Sequence, residues 1–138
     1  MIMRKSFGFT LIEILIVIVI ISTLLSFVAP VGIKQVERAQ YKKDLLEIKR
    51  VLINVSNYSF SSGSVNDISF RNSEIKINSL NKIIKLKKLS FKNEFIVKFN
   101  RNGYPDRRVL RYQKDDSLEE IDIFEVLFPE EFEYVYAK

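Results

Sequence analysis

The chain has no cysteine and no histidine. Without cysteine there is no disulfide to staple the fold and no thiolate to hold a metal. Without histidine the commonest general base and the commonest zinc ligand are both missing. The sequence also shows no glycine-rich phosphate loop and no internal repeat. Most ordinary enzyme chemistry is thereby excluded, and the chain reads as a non-enzyme with no cofactor and no metal site.

Charge is scarce over one long stretch: between Phe7 and Ile33 the only ionisable side chain is that of Glu13. An apolar content of 47% is therefore unevenly spread, and the rest of the 138 residues must build one modest core from fewer apolar side chains. The net charge of +5 is diffuse, and two of the positive charges, Arg4 and Lys5, precede the apolar run. Composition alone does not call for a polyanionic partner.

What is present begins with that run. Ile14 to Ile33 is about as long as the ~20 residues that cross a bilayer as a helix. Arg4 and Lys5 place the short N-terminal end in the cytoplasm and everything after Ile33 outside it. A secretory signal peptide fits poorly, because its apolar part is shorter, roughly 7–15 residues. The small residue Ala29 is also flanked by Phe27 and Pro30, which do not suit signal cleavage. A plain membrane anchor leaves Glu13 unexplained, since a carboxylate inside the span is costly unless it lies near the interface or is paired. Cutting between Gly8 and Phe9 would place an α-amine four residues, about 6 Å of helix, from Glu13. Such an amine is substantially protonated near neutral pH.

Gly8-Phe9-Thr10-Leu11-Ile12-Glu13, preceded by Arg4-Lys5 and followed by the apolar run, resembles the cleavage and methylation signal of type IV prepilins and type II secretion pseudopilins. The resemblance implies cleavage after Gly8 by a membrane-embedded peptidase that also methylates the new N-terminal residue, Phe9. It makes Glu13 the fifth residue of the mature chain and an assembly residue together with Phe9. Pro30 falls where many members carry a helix-bending proline, whereas Ser22 stands where many major pilins have glycine. The physical logic is that a protonated Phe9 amine of one subunit meets Glu13 of the next, which offsets desolvation and fixes register. Pro30 lacks an N–H and clashes with the carbonyl four residues back, so a kink is expected near Ser26.

Past Ile33 the apolar residues Tyr41, Leu45, Ile48, Leu52 and Val55 keep a helical period, with charges on the other faces and Lys43 and Glu47 spaced as an i,i+4 pair. Ser56 to Asp67 reads as a loop by composition. Asp67–Arg71, Glu74–Asn78 and Glu94–Asn100 read as strands, the last with Phe95, Val97 and Phe99 on one face. A turn at Asn102 to Asp106 returns Arg107–Gln113 as the second arm of a hairpin. Glu119–Phe128 and Phe132–Tyr136 supply one or two more strands, for two to five in the head. The expected fold class is α+β: a long N-terminal helix, membrane-spanning in its first half, packed on a small antiparallel β-sheet head, as in pilin-like proteins. The expected divisions are a leader over 1–8, a helix over 9–57 with 9–33 in the membrane or filament core, and a head over 58–138.

Two charged runs in the head carry candidate chemistry. Lys82, Lys85, Lys87, Lys88 and Lys92 carry a nucleic-acid reading by resemblance to pilin relatives of natural transformation, against a solvated amphipathic face. The solvated face is favoured, because arginine is absent there and only Phe91 interleaves as an aromatic. Asp115, Asp116, Glu119, Glu120 and Asp122 match no EF-hand spacing and read as a solvated turn and strand edge, although calcium stabilises the head of some major pseudopilins. Glu125, Glu130, Glu131 and Glu133 make the C-terminal end acidic, complementary to the lysines on another subunit.

The functional expectation is a structural subunit, a minor pilin or pseudopilin of a pilus, a type II secretion pseudopilus or a competence pseudopilus. The alternative is a pilin-like adaptor that binds DNA or another ligand in natural transformation. By resemblance the partners are other pilin or pseudopilin subunits, the prepilin peptidase and methyltransferase, and an inner-membrane assembly platform with its ATPase motor. The expected location is the inner membrane, crossed once with the head outside the cytoplasm, and then the filament.

Overall fold

In the computed structural model of the chain, residue 8 and residues 10–129 are described. The order of elements is α1 (Leu11–Ser62), β1 (Asn66–Asn72), β2 (Glu74–Ile77), β3 (Lys82–Lys85), β4 (Leu89–Phe99), β5 (Val109–Lys114), β6 (Ser117–Asp122) and α2 (Ile123–Leu127). The chain divides into two units, Met1–Glu37 and Arg38–Lys138.

The described part of the first unit is helical from Leu11, and its large apolar side chains all face outward, Phe27 being 79% exposed. Its few hydroxyls are satisfied within the helix. Ser22 donates to the Ile18 carbonyl at 2.7 Å, Thr23 to the Ile20 carbonyl at 2.8 Å and Ser26 to the Ser22 carbonyl at 2.9 Å. Helical hydrogen bonding plus back-bonded hydroxyls leaves little polar surface, which suits a hydrocarbon surrounding. The helical assignment continues through Pro30.

In the second unit α1 and one antiparallel sheet share a core. The strand order is β3-β2-β1-β4-β5-β6, every neighbouring pair antiparallel. Register places Ile68 opposite both Ile77 and Val97, and Phe70 opposite Ile75, so one face of the sheet is a continuous apolar layer. Ile48, Val51, Leu52 and Val55 of α1 close over it, with Tyr41 and Leu45 half-buried at the margin. The helical period read from the sequence is thus the period of burial.

Several local expectations are corrected. Among the described residues the head sheet has six strands rather than two to five. The stretch from Ser56 read as a loop is helical to Ser62, because its serines are bonded: Ser62 donates to the Tyr58 carbonyl, and buried Ser59 accepts from the Asn66 amide at 2.9 Å. Glu119–Phe128 is not one strand. It divides at Asp122, whose carboxylate accepts the N–H groups of Phe124 and Glu125 and starts α2. Glu47 pairs with Arg50 at 3.5 Å rather than with Lys43. The Phe132–Tyr136 strand lies outside the described residues.

The chain turns back antiparallel after Asn100 as expected, but the expected arms do not form the ladder: β4 and β5 pair at Leu89–Lys114 and Ser90–Gln113, while Phe95 to Phe99 pair with β1 and only Phe99 bridges to Pro105 near the turn. The connection from β4 to β5 turns on Gly103, which has φ +79° and donates from its N–H to the Asn100 carbonyl at 2.9 Å. Its carbonyl accepts the Ser56 hydroxyl at 2.7 Å. A Cβ on Gly103 would lie 2.8 Å from the Ser56 carbonyl oxygen, which is backbone and cannot swing aside. Gly103→Ala should therefore combine a left-handed penalty with overpacking, lowering stability by about 2–4 kcal/mol. Gly63→Ala, at φ +60° with open space around it, should carry only the conformational part, about 1 kcal/mol. Denaturant midpoints for the two variants test this, and equal losses would refute the close-approach explanation.

Candidate processing and assembly site

Thr10 and Glu13 build the beginning of α1. Thr10 lies just before the first helical residue, and its N–H donates to Glu13 Oε2 at 2.8 Å. In return the Glu13 N–H donates to Thr10 Oγ1 at 3.4 Å and to the Thr10 carbonyl at 3.1 Å. This reciprocal pair is a capping box, which satisfies donors that the helix itself leaves open. It also sets a carboxylate at the positive end of the helix dipole. The spacing Thr-x-x-Glu is the sequence signal of this box, although Glu13 read alone is a charge inside the membrane and gives Thr10 no role.

Gly8 is exposed and lies before the helix, and nothing approaches within 4 Å of a Cβ built on it. The bond expected to be cut thus precedes the first helical turn. Phe9, expected to be methylated, lies outside the described residues, as does the leader up to Phe7. From Leu11 onward α1 contains a stretch long and apolar enough to cross a membrane.

The five head lysines do not share a face. Lys82 and Lys85 are exposed at opposite ends of β3, an edge strand among the described residues; Lys82 is opposite Ile77 and Lys85 opposite Glu74, so they point to different sides of the sheet. Lys85 is 3.6 Å from Glu74. Lys87 and Lys88 follow in the link to β4, and Lys88 reaches over the Tyr41 ring at 6.0 Å. Lys92 is exposed on β4.

Beneath that link lies a residue the sequence reading did not single out. Asp44, on α1, is buried to 4% exposure, and its Oδ2 accepts the N–H groups of Lys87 at 2.9 Å, Lys88 at 2.6 Å and Leu89 at 3.0 Å. One carboxylate oxygen thereby fastens the β3–β4 link to the helix. An aspartate at a core-facing helical position is the available signal, since a buried carboxylate must be hydrogen-bonded.

The acidic run is resolved into a turn and an edge strand. Asp115 and Asp116 connect β5 to β6, and Asp115, at φ 50°, accepts the Tyr41 hydroxyl. Glu119 accepts the Tyr112 hydroxyl at 2.7 Å, and Glu120 lies 3.5 Å from Arg111. Burial first and then the Glu119 contact push the Tyr112 phenol up to about 12.

Burial works against the Asp122 carboxylate, but the Arg108 guanidinium at 2.8 Å and the two α2 N–H groups outweigh it and hold its pKa below the ordinary value. A lowered folded-state pKa contributes stability that is present above the unfolded-state pKa of about 3.9 and lost as pH falls through the folded value. Asp122→Ala should cost about 1 kcal/mol as a lost cap. Asp122→Asn keeps a capping oxygen and should flatten the decline in urea midpoint between pH 5 and 3; an unchanged slope in that variant would assign the acid sensitivity elsewhere.

Among known proteins, no curated protein and no solved structure matches the chain. A long N-terminal helix followed by a six-stranded antiparallel sheet is a pilin-like α+β architecture, and the apolar helix suits membrane anchoring. Over residues 3–29 the chain matches the family model described as the prokaryotic N-terminal methylation motif, so it carries the signature of prepilin-type cleavage that marks type IV pilins and pseudopilins.

Proposed function

We propose that this chain is a structural subunit, a minor pilin or pseudopilin, cut after Gly8, methylated on Phe9 and assembled through α1 with Glu13 setting register. The observation that carries the reading is the coincidence of the methylation motif over residues 3–29 with an exposed apolar helix that begins just past Gly8. An apolar surface this long has no place in water. It is served first by lipid and then by the same helices of neighbouring subunits. The proposed route places the precursor in the inner membrane with Arg4 and Lys5 on the cytoplasmic side and the head across it. A platform and an ATPase motor then draw mature subunits into a pilus, a secretion pseudopilus or a competence pseudopilus.

Intact-mass measurement of the chain coexpressed with a prepilin peptidase tests the first step. The expected product lacks residues 1–8 and carries one added methyl group. Gly8→Ile should leave only the full-length species, at least about tenfold below wild-type cleavage. Because a Cβ at Gly8 meets nothing in the chain itself, that loss would lie in recognition by the peptidase rather than in folding. A wild-type product still beginning at Met1 would overturn the proposal.

A further inference from the structure

The second unit contains an open groove of about 440 Å3 between the α1 face and the β2–β3 end of the sheet. Its floor is apolar, with Val55, Ile77 and Ile84, and its rim carries Lys43, Lys82 and Lys87. Of the five cations that line it, Arg50 pairs with Glu47 and Lys85 with Glu74, and the Asp44 carboxylate is held by three backbone N–H groups, so the excess positive charge of the groove is that of Lys43, Lys82 and Lys87. Alongside runs β3, whose strand neighbour is β2 alone among the described residues. An edge strand offers a row of backbone donors and acceptors to another strand. Lysines at both ends of β3 discourage most strands that might add there, but they favour an acidic one.

The chain itself contains a segment of that chemistry. Glu130-Glu131-Phe132-Glu133-Tyr134-Val135-Tyr136 lies outside the described residues, and its sequence alternates. In an extended conformation Phe132, Tyr134 and Tyr136 share one side and Glu131, Glu133 and Val135 the other. We infer that this segment of one copy adds as a strand to the β3 edge of a second copy, with its aromatic side over the groove floor and its glutamates beside Lys76 and Lys85. This is strand addition, in which main-chain hydrogen bonds give affinity and alternate side chains give specificity.

Reach favours a second copy over the same chain. Phe128, just before the segment, stacks on Tyr104 of the β4–β5 connection at 5.2 Å. From β4 to β3 there are three strand spacings, about 14 Å, which consume roughly four extended residues. A crossing of that length would leave the same chain too few residues to set Phe132 as well as Tyr134 and Tyr136 beside β3, whereas a second copy can offer the whole segment. The inference does not depend on cleavage or filament assembly, and its test uses the unassembled chain.

The absence of cysteine makes that test clean. Full-length chains carrying Ile83→Cys and, separately, Val135→Cys are mixed in detergent micelles and oxidised mildly. Both positions fall on the same side of the added sheet, since Ile83 is exposed opposite Lys76. The expected result is a heterodimer forming about tenfold faster than either homodimer, slowed about tenfold by Lys76→Glu with Lys85→Glu, the two lysines on the side the glutamates would take, or by high salt. Both lysines are exposed, so an unchanged circular dichroism spectrum confirms that those variants fold. Dimers in random proportion would overturn the inference. So would a chain with both cysteines closing on itself while the mixture gives no heterodimer, because the segment would then dock in its own chain. Suppression of the cross-link by short duplex DNA at low salt, with the segment itself showing no competition as a free peptide, would assign the cations to nucleic acid instead.

Discussion

Glu13→Val should leave cleavage after Gly8 intact while lowering incorporation into filaments by about tenfold or more, and Glu13→Gln should behave like Val rather than like wild type. The two variants separate two roles that one side chain combines. In the free helix Glu13 closes the capping box with Thr10, through Oε2 to the Thr10 N–H and through its own N–H to Thr10 Oγ1. Glutamine satisfies the same box, since its side-chain carbonyl accepts the same bond. Valine does not, at a cost of about 1 kcal/mol in a helix end that other residues still support. Pairing with an amine needs charge, which both variants lack. The cost of an unpaired carboxylate in lipid, about 2.5–3.5 kcal/mol, is the scale on which pairing with a neighbouring amine acts. That scale corresponds to more than tenfold in an equilibrium. If Glu13→Gln assembles normally, the cap is the function of Glu13 and the amine pairing is wrong. Thr10→Ala then becomes the informative comparison, because it breaks the box from the other side and leaves the charge in place.

The N-terminal part was legible because its determinants are local. Gly8, Thr10, Glu13 and the apolar run are fixed by residue type and spacing along the chain, with no need to know what folds against them. The head was legible where one face is buried, as at Val97 and Phe99, since alternation reports burial directly. It was opaque where tertiary bonds override composition. Ser56, Ser59 and Ser62 look like loop residues until their partners, the carbonyls of Gly103 and Tyr58 and the amide of Asn66, are in place. β3 was hidden for a related reason: Lys82-Ile83-Ile84-Lys85 has no strict alternation, and it is a strand because Ile84 lies opposite Ile75 and Ile83 opposite Lys76. At the other edge, a single capping aspartate turned the end of an expected strand into α2.

Asp44→Ala should destabilise the head by about 2–4 kcal/mol, a large share of the 5–15 kcal/mol by which a typical domain is stable. The magnitude follows from what remains after the carboxylate is removed. Leu89 is 1% exposed, so its N–H cannot turn to water without opening the core, and the N–H groups of Lys87 and Lys88 lose their acceptor at the same time. Stranding buried donors costs more than the bond itself contributed, because desolvation is no longer compensated. Asp44→Asn retains a carbonyl oxygen that can accept at the same place but without charge, and should fall between, at about 1–2 kcal/mol. Denaturant unfolding of the three full-length chains, followed by the near-ultraviolet signal of the tyrosines, gives the order. If Asp44→Asn and Asp44→Ala lose the same amount, the three-fold acceptor role is not what keeps the carboxylate buried. The consequence reaches the surface as well, since Lys87 and Lys88 are positioned by this one oxygen. The loss of Asp44 should therefore loosen the link between β3 and β4 before the sheet core of Phe70, Val97 and Phe99 gives way. Hydrogen exchange should show it as early loss of protection at Leu89, with Val97 retained.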